Sequence, residues 1–557
     1  MEMAVRIQQS VWDQLKAREP APGQRWLRWH PSELEDCLAQ RAGHSPSPLA
    51  EHELAELETA HRRWGADEAT LAAIRELGTP RARVVVTGQQ PALLAGPLLV
   101  LYKTLAAIRL AGRLRERHPD LTFVPVFWVA SEDHDFDEIR RAYWPGHEGG
   151  LEEFLLAAET TPGRMVGGLR IGEQLARLAH QIEMSTLTTE FRDGVLARLR
   201  GGDGAEVTLE DHFCRLMLEL FRGTGLVIVS PLMEWVRRRA APIVQSELAR
   251  PGESTARILE RTRALEAARF EAQLHRAPDS LNVFWIDGAR RRLALRLDGA
   301  ERVRPVAPGG GDEAPEDVAL DELRRQVERA PERFSTNVVT RPLVQDSALP
   351  TVAQVVGPGE AAYLAQVEAV YESFGVFAPV RWPRPSVTLL EPRVERRLEK
   401  HALALEQALT RDADELVEMI LQRDLGQGQI GRIESLRARQ KEELEALRRE
   451  IDASAAAGSA IDKLQQAMDK GYDKLLDRVL TQHKQDRGHL MRAMALIANS
   501  LHPARLAQER ALNPIVPFAI NYGMGWAVRL MARVELDYWA EPQVISLAEE
   551  LSGAAER

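Results

Sequence analysis

The chain has 557 residues, 45 % hydrophobic and 28 % charged, an ordinary globular balance that excludes a disordered, collagen-like or disulfide-built protein. At about 150 residues per domain it has room for three to four domain-sized units and a substantial core. There are 82 acidic against 72 basic side chains, a formal charge of −10, which is a poor setting for general nucleic-acid binding.

In chain order, residues 1–80 read as mixed helical, with Leu49, Leu54, Leu57, Ala60 and Trp64 spaced as the apolar face of a helix after Ser47-Pro48. Arg83-Val84-Val85-Val86-Thr87 is a buried-strand signal stopped by Gly88. Residues 97–116 read as a helix with Pro97 in its first turn, and Phe123–Val129 as a second strand. Strand, helix of about 20 residues, strand is the βαβ unit of a parallel sheet. Further strands are expected at Leu226–Val229, at Asn282–Ile286 paired with Arg292–Leu295 across Asp287-Gly288, and at Asn337–Thr340. The helical, charged stretch 141–222 reads as an insertion between sheet strands, and Pro305–Pro315, with Gly309 to Gly311, as a surface loop.

After Pro385 the texture becomes long-helical and charged. Ile430, Ile433, Leu444, Leu447 and Ile451 follow three-and-four spacing, with Arg437 and Gln440 as polar interruptions. Ile461, Leu464, Met468, Tyr472, Leu475 and Val479 repeat the pattern beyond a turn at Ser454–Ser459, which predicts an antiparallel coiled-coil hairpin. The expected fold class is therefore α/β, a Rossmann-like parallel-sheet core with helical insertions and a C-terminal antiparallel hairpin. The expected layout is residues 1–80 as the helical part of the core and 81–385 as the core proper, with inserted segments at about 141–222 and 300–330. Residues 386–504 form the coiled-coil domain, and 505–557 return to the core.

The two cysteines, Cys37 and Cys214, form no CxxC pair, so no metal site or redox dithiol is expected and a reducing cytosol fits. The first residues lack a signal-peptide apolar core. The most apolar stretch, 91–112, is broken by Gly96, Pro97, Lys103 and Arg109. The expectation is a cytoplasmic protein with neither membrane nor nucleic acid as partner.

Three stretches carry candidate chemistry. The first runs from Thr87, Gly88, Gln89 and Gln90 to Gly96, Pro97 and Lys103. It places a loop and a helix N-terminus beyond a strand end, where carboxylates and phosphates bind. Only eight lysines stand against 64 arginines, and Lys103 is the sole lysine between residues 17 and 399. That singles out an ammonium which arginine cannot replace, although a plain surface lysine is the simpler alternative. The second stretch is Ser131-Glu132-Asp133-His134-Asp135-Phe136-Asp137-Glu138, five carboxylates around one histidine. Glu132, Asp133, Asp135 and Asp137 suit substrate ammonium groups. His134 among them should have a raised pKa for acid–base work; the alternative is a solvated loop with Asp133 or Asp135 as an N-cap. The third combines Asn337, Arg341, Gln345 and Asp346 with Gly357, Gly359, Glu360 and Tyr363. Here Arg341 either grips a carboxylate through a bidentate pair or forms a structural ion pair.

VVVTGQQPALLAGPLLVLYKTLAAI, FVPVFWVASEDHDFDEI, TRPLVQDSALPTVAQVVGPGEAAYLAQ and QERALNPIVPFAINYG together resemble, in this order and over nearly the whole chain, the cysteine-adding enzyme family of bacillithiol biosynthesis. The resemblance implies a Rossmann-like core with connecting insertions, a coiled coil, a homodimer and an amide-forming ligase. It also implies joining of L-cysteine to the amine of glucosaminyl-malate, with small-molecule substrates as the partners. In that setting the malate carboxylates suit Gly96-Pro97, Lys103 and Arg341, and His134 or Asp135 is the candidate base. The core is also similar to the nucleotidylyltransferase and class I synthetase group, but Leu94-Ala95-Gly96-Pro97 replaces its H-x-G-H signature and no KMSKS-like loop is present. ATP thus stays a candidate cofactor without a signature. A non-catalytic dimeric scaffold binding a small anion and a divergent nucleotidylyltransferase are the alternatives.

Overall fold

The computed structural model describes residues 10–17, 25–157, 162–200, 204–308, 316–424, 429–451, 455–539 and 542–548. The glycine loop expected at 309–311 and Ser454 of the expected hairpin turn lie outside these residues. Two compact units emerge: Met1–Tyr143, Glu153–Thr388 and Glu509–Ile545 make the larger, and Trp144–Glu152, Leu389–Gln508 and Ser546–Arg557 the smaller.

The larger unit is built on β1 (Ala82–Gln89), α1 (Leu98–Arg117), β2 (Thr122–Val129), α2 (Leu209–Leu220), β3 (Val227–Val229), α3 (Glu234–Ala249) and α4 (Glu253–Ala267). There follow β4 (Ser280–Ile286), β5 (Arg292–Asp298), β6 (Arg302–Val306), β7 (Val318–Ala319), β8 (Phe334–Thr336), α5 (Thr340–Ala348), β9 (Thr351–Val356), α6 (Pro358–Tyr371) and β10 (Val380–Pro383). Five strands form a parallel sheet in the order β10-β9-β1-β2-β3. Val84, Val85 and Val86 are wholly buried, as expected of a parallel strand covered on both faces. The chain passes from β1 to β2 on one side, while β9 fills the other side of β1. The strand order therefore reverses at β1, and a crevice beyond the carboxyl ends of β1 and β9 is where such sheets bind ligands.

A second sheet is antiparallel, in the order β8-β4-β5-β6-β7. The expected hairpin of β4 and β5 is present, its turn fixed by the Asp287 carboxylate accepting from the amides of Ala289 and Arg291. The strand expected at Asn337–Thr340 is not. The strand is Phe334–Thr336, and Thr340 already begins α5. Asn337 is the reason: its Oδ1 accepts from the amides of Val339 and Thr340, which breaks the strand and opens the helix.

In the smaller unit α7 (Gln429–Glu450) and α8 (Ala455–Leu501) run antiparallel. Their cross-links fix the direction, because Arg448 pairs with Asp462 while Arg437 pairs with Asp469 and Asp473. Gln440 accepts from the Tyr472 hydroxyl. The two polar interruptions of the apolar spacing thus hold the helices together. The foot of α8 packs Leu490, Met494, Ile497 and Leu501 on Val394, Leu398, Leu416, Val417 and Ile420. No helix among the described residues is long and apolar enough to cross a membrane.

Candidate functional site

Two adjoining cavities open at the strand ends of the larger unit, of about 390 and 250 Å³. They share Ala130, Asp133 and Arg341 as a common wall. Gly88, Gln89 and Gln90 from the end of β1, Gln345 from α5, and Gly359, Glu360 and Tyr363 from α6 line the larger one. Glu132, His134 and Asn337 line the smaller. The three stretches singled out in the sequence therefore converge. Glycine is required at 88 because a Cβ there would stand 2.6 Å from the Trp128 carbonyl oxygen of the neighbouring strand.

A hydrogen-bonded chain crosses the floor. Lys103 Nζ donates to the Gly88 carbonyl (2.5 Å), to Gln89 Oε1 (3.2 Å) and to Glu360 Oε2 (2.7 Å). Gln89 Nε2 donates to Gln90 Oε1, and Gln90 Nε2 reaches Asp133 (3.1 Å) and Glu138 (2.8 Å). An ammonium has three donors, so the side chain of Lys103, 1 % exposed, has none left for a substrate carboxylate. Burial lowers its pKa, and Glu360 works against that. The expectation that Lys103 grips a carboxylate is corrected: it fixes Gln89 and Glu360. Glu360 also accepts from the Gly357 amide, so Gly357 caps α6 and does not line the cavity.

The helix start at Gly96-Pro97 is likewise not an anion site. The Leu512 carbonyl accepts the Leu98 amide at 2.8 Å, and Leu93, Leu94, Ala95 and Leu98 are buried around it. Thr87 is buried and donates to the Val355 carbonyl, across to β9. Asp346 is fully buried behind the wall, bonded to Tyr371 and paired with Arg381.

The acidic loop separates into distinct roles. Glu132 pairs with Arg237 and accepts from Thr336, so its charge is met by protein although it lines the smaller cavity. Asp133 faces both cavities. Burial opposes its ionisation, but Arg292, the His134 amide and Arg341 outweigh burial and hold its pKa below the usual range. Asp135 caps the helical turn 136–139 by accepting from the Glu138 amide, and neither cavity includes it. Asp137 is 85 % exposed and pairs with Arg140.

The raised pKa expected for His134 is also corrected: burial and the neighbouring Arg292 lower it. Arg292 donates to His134 Nδ1 at 3.0 Å, so the neutral ring carries its proton on Nε2. Phe284 lies edge-on to that ring, at 5.8 Å between centroids.

The Arg341 guanidinium hydrogen-bonds the Tyr363 phenol at 3.1 Å and has no other hydrogen-bond or ion-pair partner among the described residues. Burial would lower its pKa, but Tyr363, Asp133 and Glu360 raise it. Two further arginines of the smaller cavity, Arg276 and Arg292, had no mark in the sequence. Arg292 is held by Ser335, the Thr336 carbonyl and the face of Phe284. Arg276 Nε and Nη2 are buried without a hydrogen-bond partner among the described residues. Arg276, Arg292 and Arg341 make a cationic recess beside the anionic Asp133, an arrangement that accepts a molecule bearing both an ammonium and carboxylates.

Family models for bacillithiol biosynthesis BshC match this chain twice: the N-terminal Rossmann-like domain over residues 28–385 and the C-terminal coiled-coil domain over 387–536. A relative from Symbiobacterium thermophilum is 34 % identical over 509 residues, 87 % of each chain. One from Salinibacter ruber is 31 % identical over 496 residues, covering 87 % of this chain and 88 % of that one. One from Koribacter versatilis is 32 % identical over 479 residues, covering 84 % and 85 %. All three bear the name "Putative cysteine ligase BshC".

Proposed function

The chain belongs to the BshC family of bacillithiol biosynthesis, and from that premise we propose that it is a ligase joining the carboxyl of L-cysteine to the amine of glucosaminyl-malate, giving bacillithiol. The observation that carries this reading is the shared wall of the two cavities, where Asp133 and Arg341 present one charge of each sign to both. Both substrates carry an ammonium and at least one carboxylate. Two connected recesses with an anion and a cation between them suit two such molecules meeting end to end.

In this reading Arg276, Arg292 and Arg341 hold the malate carboxylates. Asp133, kept ionised, and Glu138, bridged to it through Gln90, receive the amine. The role first given to Asp135 passes to Asp133, which faces the cavities. His134, neutral and protonated on Nε2, supports the reaction as a hydrogen-bond donor rather than as the base. The amine must lose a proton to attack, and the Glu138 carboxylate, held beside Asp133 through Gln90, is the acceptor at hand. Amide formation also needs an activated carboxyl, for which ATP is the co-substrate to test first. The protein acts in the cytoplasm as a homodimer.

Mass spectrometry of thiols in a strain deleted for this chain tests the reading. Bacillithiol should vanish and glucosaminyl-malate accumulate. The wild-type gene should restore bacillithiol, and Gln90→Ala or His134→Ala should restore it poorly. Normal bacillithiol in the deleted strain would overturn the assignment, and full restoration by both variants would favour a binding scaffold.

A further inference from the structure

A third cavity of the larger unit, about 550 Å³, is separate from the two at the strand ends and shares no lining residue with them. Its size falls in the usual range for small-molecule sites, roughly 300–1,000 Å³. Met165, Leu232 and Ile286 supply an apolar wall. Arg164, Arg237 and Arg290 bring three guanidinium groups to it.

Arg237 makes this more than a surface hollow. Its side chain is only 7 % exposed, and Nη1 is taken by Glu132 (3.1 Å) and the Phe334 carbonyl (2.6 Å). Nε and Nη2 have no acceptor among the described residues. Three of the five guanidinium donors, on Nε and Nη2, are thus unmet by protein and open to a ligand in the cavity. Arg164 and Arg290 are exposed and have no side-chain partner among the described residues. Two carboxylates also line the cavity. Glu234 is neutralised by Arg238 and Arg237 by Glu132, which leaves Glu332 as the one unpaired anion against the two unpaired cations Arg164 and Arg290 among the described residues.

We propose that this cavity is a second ligand site, for a small organic anion, carboxylate or phosphate, carried on an apolar body. The anionic group meets the open edge of Arg237 together with Arg164 and Arg290, and the apolar body lies on Met165, Leu232 and Ile286. The proposal does not depend on the reaction assigned above, and its test uses no turnover.

Phenyl phosphate, inorganic phosphate and benzyl alcohol, titrated calorimetrically into the full-length Arg341→Ala chain, test it with the strand-end crevice weakened. Phenyl phosphate should bind at least tenfold more tightly than either of the others. Adding Arg164→Ala and Arg290→Ala, both exposed positions, should weaken it at least tenfold while the melting temperature holds. Leu232→Ser should weaken phenyl phosphate and leave inorganic phosphate unchanged. Absence of phenyl phosphate binding, equal binding of inorganic phosphate, or affinity indifferent to the paired arginine substitutions would each overturn the site.

Discussion

Lys103 is met by three acceptors inside the protein, so its removal should act on stability before it acts on binding. Lys103→Met leaves the Glu360 carboxylate without its buried partner, a change that typically costs about 3–5 kcal/mol. Because Glu360 keeps some contact with solvent, a loss near the lower end is expected in denaturant melts, and an unchanged midpoint would free the lysine for a ligand again. Arg341 predicts the opposite pattern. Arg341→Ala should leave stability nearly unchanged and weaken malate binding by about 1.5–3 kcal/mol, the range for hydrogen bonds to charged groups. Calorimetry with malate reads this directly, and affinity equal to wild type would remove Arg341 from the site. Two buried histidines set the acid response. His61 donates from Nδ1 to the Leu57 carbonyl and accepts the Ile228 amide on Nε2, and burial pushes its pKa down to about 4. Burial likewise lowers His212 to about 4. Each pKa lies below the unfolded value, so the unfolded chain binds the extra proton. Their contribution is whole above pH 6.5 and is lost as pH falls towards 4, by about 3 kcal/mol each at most. Melting temperature should fall steeply across that window, and His61→Gln should flatten the fall; a flat profile in wild type would contradict the neutral, buried histidines. Gln89, Gln90, Asp133, Arg341 and Glu360 were legible because polar residues at strand ends stand out from their apolar strands. Arg276 and Arg292 were not, because one arginine among 64 carries no local sign of which cavity it will face.

At the level of elements, the β1–β2 pair tolerates only glycine at position 88. Gly88→Ala puts a methyl 2.6 Å from the Trp128 carbonyl oxygen, which belongs to backbone and cannot swing aside. The strands must part, and a destabilisation of about 1–3 kcal/mol is expected, the usual cost of overpacking. Wild-type stability in Gly88→Ala would mean the strands are not in this register. The βαβ unit, the β4–β5 hairpin and the α7–α8 pair followed from periodicity and turn residues, which are local properties. Two readings failed where a remote or side-chain partner decided the outcome. The α1 start looked like an anion site until the Leu512 carbonyl, over 400 positions along the chain, took its first amide. Asn337-Val338-Val339-Thr340 has the composition of a strand, but the Asn337 side chain turns it into a helix start.

At the level of the whole molecule, α7 and α8 leave Leu436, Leu447, Leu464 and Leu475 each somewhat under half exposed. A run of apolar side chains along a hairpin is a surface that a second copy can cover, and two-fold homodimers are the commonest solution. Light scattering should give roughly 125 kDa, about twice the 62.3 kDa chain. Leu464→Asp with Leu475→Asp should return a folded monomer, whereas a wild-type monomer at micromolar concentration would contradict the dimer. The family was readable from four long motifs, whereas the placing of Asp133 and Arg341 on the wall shared by two cavities needed the fold. The measurement that bears most directly on the proposed ligase is reconstitution with purified protein, L-cysteine, glucosaminyl-malate and ATP, followed by mass spectrometry for bacillithiol. Wild type should form it, and Arg341→Ala, with an unchanged melting temperature, should form it at least tenfold more slowly. No bacillithiol from folded wild-type protein, or an undiminished rate in Arg341→Ala, would contradict the account.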